Sequence, residues 1–103
     1  MAERAAAWRL RVAGFRIVGR NVRVAGREID LLGRRGGLLV VCEVKARRTT
    51  SFGAPLEAVG AAKQDRLRRA AEVLLARDTS IETVRFDVIA VDGLRLRHLP
   101  GVF

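Results

Sequence analysis

Residues 26–45 read GREIDLLGRRGGLLVVCEVK, two strand-like patterns joined by a glycine-rich turn. Side chains alternate between the faces of a strand, so Glu28 and Asp30 are predicted to share one face. The same rule puts Glu43 and Lys45 on one face of the next strand. An antiparallel hairpin brings Asp30 beside Glu43, and two such carboxylates repel unless a cation, usually a divalent metal, neutralises them. Together with a lysine that can hold a water or a phosphate oxygen, they are the minimum set of groups for a metal-dependent nuclease.

The Glu-x-Lys pattern also has a simpler interpretation, since many exposed strands carry such charges as weak ion pairs in water. The strand around it is unusual, however. One face is wholly apolar, and the other begins apolar and becomes charged only at Glu43 and Lys45. A strand that is apolar on both faces for half its length and charged at its end predicts a central strand running into a cleft.

The rest of the chain divides into short periodic segments without repeats, linkers or low-complexity regions. Helical periodicity indicates helices at 2–13 and 61–77, the first ending at Gly14. Alternation indicates strands at 15–18, 28–34, 38–47, 84–91 and 94–99, with 21–25 a further strand or part of a loop and 48–55 a loop. Turns are indicated at 35–37 and at Asp92-Gly93. This order predicts a single α/β domain over residues 1–103, with a mixed central sheet flanked by helices.

The charge of the chain is strongly positive, with a formal net charge of +9 and a pI near 11.6. Such an excess favours an anionic partner, with nucleic acid first and an anionic membrane second. Arginine supplies 18 of the 20 cations, so the two lysines, Lys45 and Lys63, stand out. A compact ammonium approaches a single water or phosphate oxygen more closely than a guanidinium does. Lys63 falls on the inward stripe of the second helix, in its first turn, where it needs a local anion: a carboxylate or a bound phosphate.

Several features of the sequence indicate the cellular compartment. The longest strongly apolar run, residues 38–42, is far too short to cross a membrane, and the first residues lack the basic start and apolar block of a signal peptide. A single cysteine forms no internal disulfide. We therefore expect a cytoplasmic protein that does not bind membranes.

The positions or roles of five further residues are also predicted. Glu3 lies on the inward stripe of the first helix, either in water at the frayed end or as part of the acidic cluster. Trp8 is expected to be a core anchor or a dimer contact rather than a surface on which bases stack, and Cys42 is expected to pack in the core. Asp87 is expected to pair with an arginine rather than to extend the acidic site. His98 is expected at the surface.

Seven blocks, in order, resemble the bacterial YraN family of small nuclease-like proteins, within the PD-(D/E)xK superfamily: 14–21 (GFRIVGRN), 28–32 (EIDLL), 41–47 (VCEVKAR), 52–53 (FG), 57–59 (EAV), 63–64 (KQ) and 85–88 (RFDV). The resemblance covers residues 3–91 and implies the restriction endonuclease-like fold, akin to that of archaeal Holliday-junction resolvases. Two positions depart from the family pattern: Arg27 replaces a glycine, and Cys42 replaces an aromatic residue.

Carried over residue by residue, the resemblance implies that Asp30 and Glu43 bind the metal, Mg²⁺ or Mn²⁺, and that Lys45 is the catalytic lysine. It adds Glu3 and Glu28 as supporting carboxylates of the site. Lys63, Arg47 and Arg48 are then expected to contact phosphates of nucleic acid, most simply DNA. The resemblance also suggests branched, flapped or damaged DNA as the substrate, and a homodimer as one arrangement that cuts both strands.

Two other functions fit the same residues. A nucleic-acid-binding module could retain the fold and the basic surface without useful activity, and it would need no metal. An interaction protein in DNA uptake or repair could use the acidic cluster as a salt-bridge network. In that network, removal of Asp30 would strand a buried cation and destabilise the fold.

Overall fold

The computed structural model describes residues 2–46 and 61–103. The elements, in chain order, are α1 (Ala2–Val12), β1 (Arg16–Val24), β2 (Arg27–Arg35), β3 (Leu38–Ala46), α2 (Ala61–Arg77), β4 (Thr83–Asp92) and β5 (Arg95–Leu99). The strands form one sheet in the order β1-β2-β3-β4-β5. The β3–β4 pair is parallel and the other three pairs are antiparallel. The predicted mixed sheet with flanking helices is confirmed, and the architecture is compatible with a restriction endonuclease-like fold.

Each helix covers one face of the sheet. On the first face, Leu39 and Val41 of β3 belong to an apolar cluster with Leu67 of α2. On the opposite face, Val40 and Cys42 belong to a cluster with the α1 residues Ala6, Ala7 and Leu10. The side chains of β3 are thus buried on both sides through Cys42, which confirms the predicted central strand and the core position of the cysteine. We call these two faces the α2 side and the α1 side.

The first strand differs from its prediction. Residues 15–18 and 21–25 were expected as two separate pieces, but Arg16–Val24 forms one strand, β1, whose pairing with β2 shifts by one residue between Ile17 and Gly19. An extra residue of this kind interrupts the alternation of faces, so the sequence pattern reads as two fragments. A second irregularity follows at Asn21, whose φ is 49°, in the left-handed region that asparagine tolerates better than most residues.

Two smaller expectations were also wrong. Trp8 is not a core anchor: it is 66% exposed, because it lies two residues, or about 200° around the helix, from the buried Ala6 and Leu10. Its other predicted role, a dimer contact, stays a prediction. The β4–β5 turn is Gly93-Leu94 rather than Asp92-Gly93, since Asp92 pairs with Arg95. Within the described ranges, neither helix is long and apolar enough to cross a membrane.

A buried polar network ties β4, β5 and the C-terminal residues together. Asp87 accepts two hydrogen bonds from Arg85, at 2.9 Å each, and one from the Gly101 backbone N–H at 3.1 Å. The predicted pairing of Asp87 with an arginine is confirmed. The prediction that His98 lies at the surface was wrong. Its Nε2 lies 2.7 Å from Asp87 Oδ2, and its side chain is 7% exposed. It pairs with Ile89 across the β4–β5 hairpin, which turns it toward the α1 side.

Candidate functional site

The site is built where β2 and β3 run side by side. Leu31 pairs with Cys42 and Leu32 with Val41, and Asp30 follows directly beyond the last of these pairs, close enough to Glu43 for that charge to act on it. At this position Asp30 turns its carboxylate onto the neighbouring backbone: Oδ2 accepts a hydrogen bond of 2.8 Å from the N–H of Val44. The hairpin thus brings together the two carboxylates that the sequence singled out.

The environment of Asp30 raises the pKa of its carboxyl group. Its partial burial raises its pKa, and the charges of Glu43, Glu3 and Glu28 raise it further. The hydrogen bond from the Val44 N–H acts in the opposite direction but does not cancel these effects. The ionised form of Asp30 is therefore disfavoured in the folded protein, and a cation bound beside it would relieve that penalty.

Glu43 is already in contact with two cations. The ammonium of Lys63, from the first turn of α2, forms an ion pair with Glu43 Oε1, and Arg27 Nη2 lies 3.5 Å from the same oxygen. The prediction that Lys63 points inward toward a local anion is confirmed, and that anion is the carboxylate of Glu43. Its predicted contact with a nucleic-acid phosphate stays a prediction and would require Lys63 to leave or share this partner.

Glu3 lies near the acidic cluster as well as near solvent. Its Oε1 accepts a hydrogen bond of 3.3 Å from Nδ2 of Asn21, and its charge is close enough to raise the pKa of Asp30. Glu28 is exposed, and it lines the same cavity as Asp30 and Glu43. The first helix and β2 thus add two carboxylates to the surroundings of Asp30.

Lys45 is half-exposed at the end of β3, two residues beyond Glu43 and on the same face by alternation. Its ammonium makes no hydrogen bond or ion pair with any residue in the described ranges. Its ammonium can therefore meet a ligand without first giving up a partner among those residues. Arg47 and Arg48, the other predicted phosphate contacts, lie outside the described residues.

The donor set suits one kind of metal ion. Within residues 2–46 and 61–103, no group of three or more His, Cys, Asp or Glu side chains could hold a metal by itself. Mg²⁺ does not require such a group, since it keeps several waters and is usually held by one or two carboxylates together with substrate phosphates. The pair Asp30 and Glu43 fits that mode, whereas the described residues do not supply a site made wholly of protein ligands.

Sequence reasoning missed two residues of the site, Arg27 and Asn21. Simple alternation places Ile29 and Leu31 on the same face of β2, yet Ile29 packs on the α2 side and Leu31 on the α1 side. The interruption lies at Asp30, opposite the left-handed Asn21. Because of it, Arg27 follows Ile29 onto the α2 side, where it reaches Glu43. The same interruption removes the basis for predicting a shared face for Glu28 and Asp30.

A five-stranded mixed sheet between two helices, with acidic side chains gathered where β2 and β3 meet, makes this a small α/β protein whose architecture is compatible with a restriction endonuclease-like fold. A family model described as "Uncharacterised protein family UPF0102" matches residues 2–91. The chain belongs to that family, and the resemblance to the YraN family is thereby confirmed at the level of the family.

Individual relatives match over almost the whole chain. A UPF0102 protein of Symbiobacterium thermophilum is 50% identical over 107 residues, which cover 98% of this chain and 91% of the relative. A UPF0102 protein of Syntrophotalea carbinolica is 45% identical, with coverage of 98% and 86%. One of Bartonella tribocorum is 42% identical, with coverage of 99% and 79%.

Proposed function

We propose that this protein is a metal-dependent endonuclease that hydrolyses phosphodiester bonds in DNA, with branched or otherwise non-B-form DNA as its substrate class. The observation that carries the proposal is the proximity of Asp30 to Glu43 beyond the last β2–β3 pair, where burial and the charges of neighbouring carboxylates raise the pKa of Asp30. A structural surface does not need a carboxylate whose charged form is disfavoured, as that of Asp30 is, whereas a site that binds a cation does.

The residues then take distinct roles. Asp30 and Glu43 would hold Mg²⁺ or Mn²⁺, which when bound supplies Lewis-acid polarisation of the scissile phosphate. Lys45 orients the attacking water or stabilises negative charge on the phosphoryl oxygens. Glu28 and Glu3 add negative charge beside the metal ligands.

Phosphate contacts supply affinity without sequence preference in this proposal. Lys63, Arg47 and Arg48 bind phosphates that flank the scissile bond, and the net charge of +9 draws the DNA toward the protein.

One observation favours a second candidate, a nucleic-acid-binding module that needs no metal. Glu43 already has two cationic neighbours, Lys63 and Arg27, so its charge is balanced without a metal. In such a module the basic surface does all the binding, and the carboxylates only position their cations. The two candidates differ in their response to Mg²⁺ and to loss of the Asp30 charge.

The test is cleavage of labelled single-stranded, duplex, flap and four-way-junction DNA with Mg²⁺ or Mn²⁺. We expect the wild-type protein to cut at least one of these DNAs, and Asp30→Asn and Lys45→Ala each to lower the rate by at least 100-fold, a typical loss for a residue that stabilises transition-state charge. Asp65→Asn and Arg77→Ala are the matched controls, since both residues are exposed on α2, and they should cut like the wild type.

A melting experiment gives a second readout without DNA. Mg²⁺ at about 100 times its Kd should raise the free energy of unfolding of the wild type by about 2.7 kcal/mol and that of Asp30→Asn by far less. If no DNA is cut and Mg²⁺ shifts neither protein, while both bind DNA equally, the binding module is the correct function.

A further inference from the structure

A cavity of about 240 Å³ adjoins the acidic site on the α2 side of the sheet. The residues that line its polar end are Arg27, Glu28, Asp30 and Glu43. Its apolar end is formed mainly by Leu67, Phe86, Val102 and Phe103. The proposed reaction uses only the polar end, so the apolar end has no role in it.

The apolar wall is built firmly onto the sheet. The rings of Phe86 and Phe103 stack with centroids 4.5 Å apart and planes 15° from parallel, and the guanidinium of Arg68 lies over Phe103 at 5.4 Å. The backbone N–H of Val102 donates a 2.8 Å hydrogen bond to the carbonyl of Phe86. These contacts fix the C-terminal residues against β4, so the cavity has a formed wall.

Arg27 brings a cation to the wall of this cavity. Its side chain is 24% exposed, and its Nη2 lies 3.5 Å from Glu43 Oε1. Its Nε is buried and has no acceptor among the described residues, so that nitrogen is closed to a ligand. The exposed end of the guanidinium is what can donate a hydrogen bond to an acceptor in the cavity.

The size of the cavity limits what it can hold. It is far larger than the roughly 10–15 Å³ that one water molecule needs, and smaller than the roughly 300–1,000 Å³ of most sites for drug-sized ligands. A ligand of one or two rings suits this volume. The carboxylates in the lining repel an anionic group, and the guanidinium of Arg27 favours a ligand that offers a hydrogen-bond acceptor.

We propose that the cavity binds an unpaired nucleobase of the DNA strand whose phosphate enters the acidic site. This inference rests on the proposed function, because the nuclease site is what brings a strand to the mouth of the cavity. A nucleobase is neutral and flat and carries ring nitrogen or carbonyl acceptors. A base inside a duplex is stacked and paired, so only a base freed at a flap, a junction or a single strand enters without the cost of unstacking. The cavity thereby selects DNA with unpaired nucleotides.

The test compares two strands with equal phosphate charge: a dT oligomer and an oligomer of the same length in which every sugar is abasic. Both are titrated into the protein in EDTA, so that neither metal nor cleavage contributes. We expect the dT oligomer to bind about 10-fold more tightly, in line with the typical contribution of one base contact with apolar and aromatic side chains.

Filling the cavity should abolish this preference. Val102→Phe narrows the cavity, and the expected result is a ratio of dT to abasic affinity near 1 with the abasic affinity unchanged. Val12→Phe is the matched control on the exposed face of α1, 63% exposed, and should keep the 10-fold ratio. Should Val102→Phe fail to fold, Phe103→Ala removes one apolar wall instead and should lower the ratio at least threefold.

The outcomes separate the two proposals. Equal binding of dT and abasic strands by the wild type, or an unchanged ratio in a folded Val102→Phe or Phe103→Ala protein, overturns the base-binding cavity even if metal-dependent cleavage is observed. A ratio that collapses in the cavity variants supports the cavity even if no DNA is cut, in which case the proposed nuclease activity is what fails.

Discussion

Asp30 carries two opposing contributions in the folded protein. Its carboxylate accepts the Val44 N–H, a favourable contact, while burial and three neighbouring carboxylates raise its pKa. Because the pKa of Asp30 in the folded protein lies above its ordinary value, the ionised side chain lowers stability at neutral pH. That cost disappears as the pH falls through the folded pKa, since protonation then favours the native state.

Replacement of Asp30 by asparagine should therefore stabilise the metal-free protein. The Asp30→Asn side chain keeps an oxygen for the Val44 N–H and loses the charge, so we expect a gain of about 0.5–1 kcal/mol at pH 7, reduced from the full effect because the site is partly open to solvent. The gain should shrink toward zero near pH 4. Urea unfolding at both pH values in EDTA measures it, with Asp65→Asn as the control. A loss of stability at pH 7 would instead support the salt-bridge network.

Asp87 shows the opposite behaviour. Burial alone would raise its pKa, but hydrogen bonds from His98, Arg85 and the Gly101 N–H hold the pKa below the ordinary value. A carboxylate of this kind adds stability above its unfolded pKa, and that stability is lost as the pH falls through the lower folded value.

Removal of Asp87 should accordingly be costly. Asp87→Ala leaves Arg85 without its buried partner and the Gly101 N–H without an acceptor, so we expect a loss of about 3–5 kcal/mol in the free energy of unfolding at pH 7. Urea unfolding measures this loss, and Asp65→Ala, at an exposed carboxylate, should cost less than 0.5 kcal/mol. Equal effects in the two variants would mean that the network contributes nothing to stability.

At the scale of the element, the sequence predicted what local periodicity controls. The helix α2 begins and ends at the predicted residues, Ala61 and Arg77. The apolar run of β3 correctly indicated a strand buried on both faces. The errors fall where a single backbone irregularity changes the pattern. The one-residue shift in β1 and the left-handed Asn21 leave the composition strand-like but reverse which face the next residues occupy.

The turn of the β1–β2 hairpin carries backbone strain that a substitution can relieve. Its two turn residues, Ala25 and Gly26, have φ of 52° and 75°, the arrangement of a type I′ turn, in which alanine is strained. Ala25→Asn should raise the free energy of unfolding by about 1 kcal/mol and the Tm by roughly 4–8 °C. Ala25→Val, with a β-branched side chain at positive φ, should lower both. Thermal unfolding of the three proteins checks the order, and a more stable valine variant would contradict the turn assignment.

At the scale of the whole molecule, the site was only partly predictable. Asp30, Glu43 and Lys63 could be brought together from strand alternation, the hairpin and the helical stripe. Arg27 could not, because its approach to Glu43 depends on the interrupted alternation at Asp30. The apolar end of the cavity was equally hidden, since Phe103 and Val102 reach β4 and α2 through a C-terminal segment that no periodicity describes.

The salt dependence of binding can show where DNA lies on the protein. If DNA binds across the acidic site, Arg47 and Arg48 contact phosphates, while Arg77 lies 14 residues from Lys63 along α2, about 21 Å away. The logarithm of the binding constant falls linearly with the logarithm of the salt concentration, with a slope near −0.9 per duplex phosphate contact.

Arg48→Ala should therefore reduce the steepness of this slope by about 0.9, and the double variant Arg47→Ala/Arg48→Ala by about 1.8, whereas Arg77→Ala should leave it unchanged. Fluorescence anisotropy with a labelled duplex in EDTA, at 50–200 mM salt, measures the slopes. A decrease confined to Arg77→Ala would place the DNA at the far end of α2 and separate binding from the acidic site.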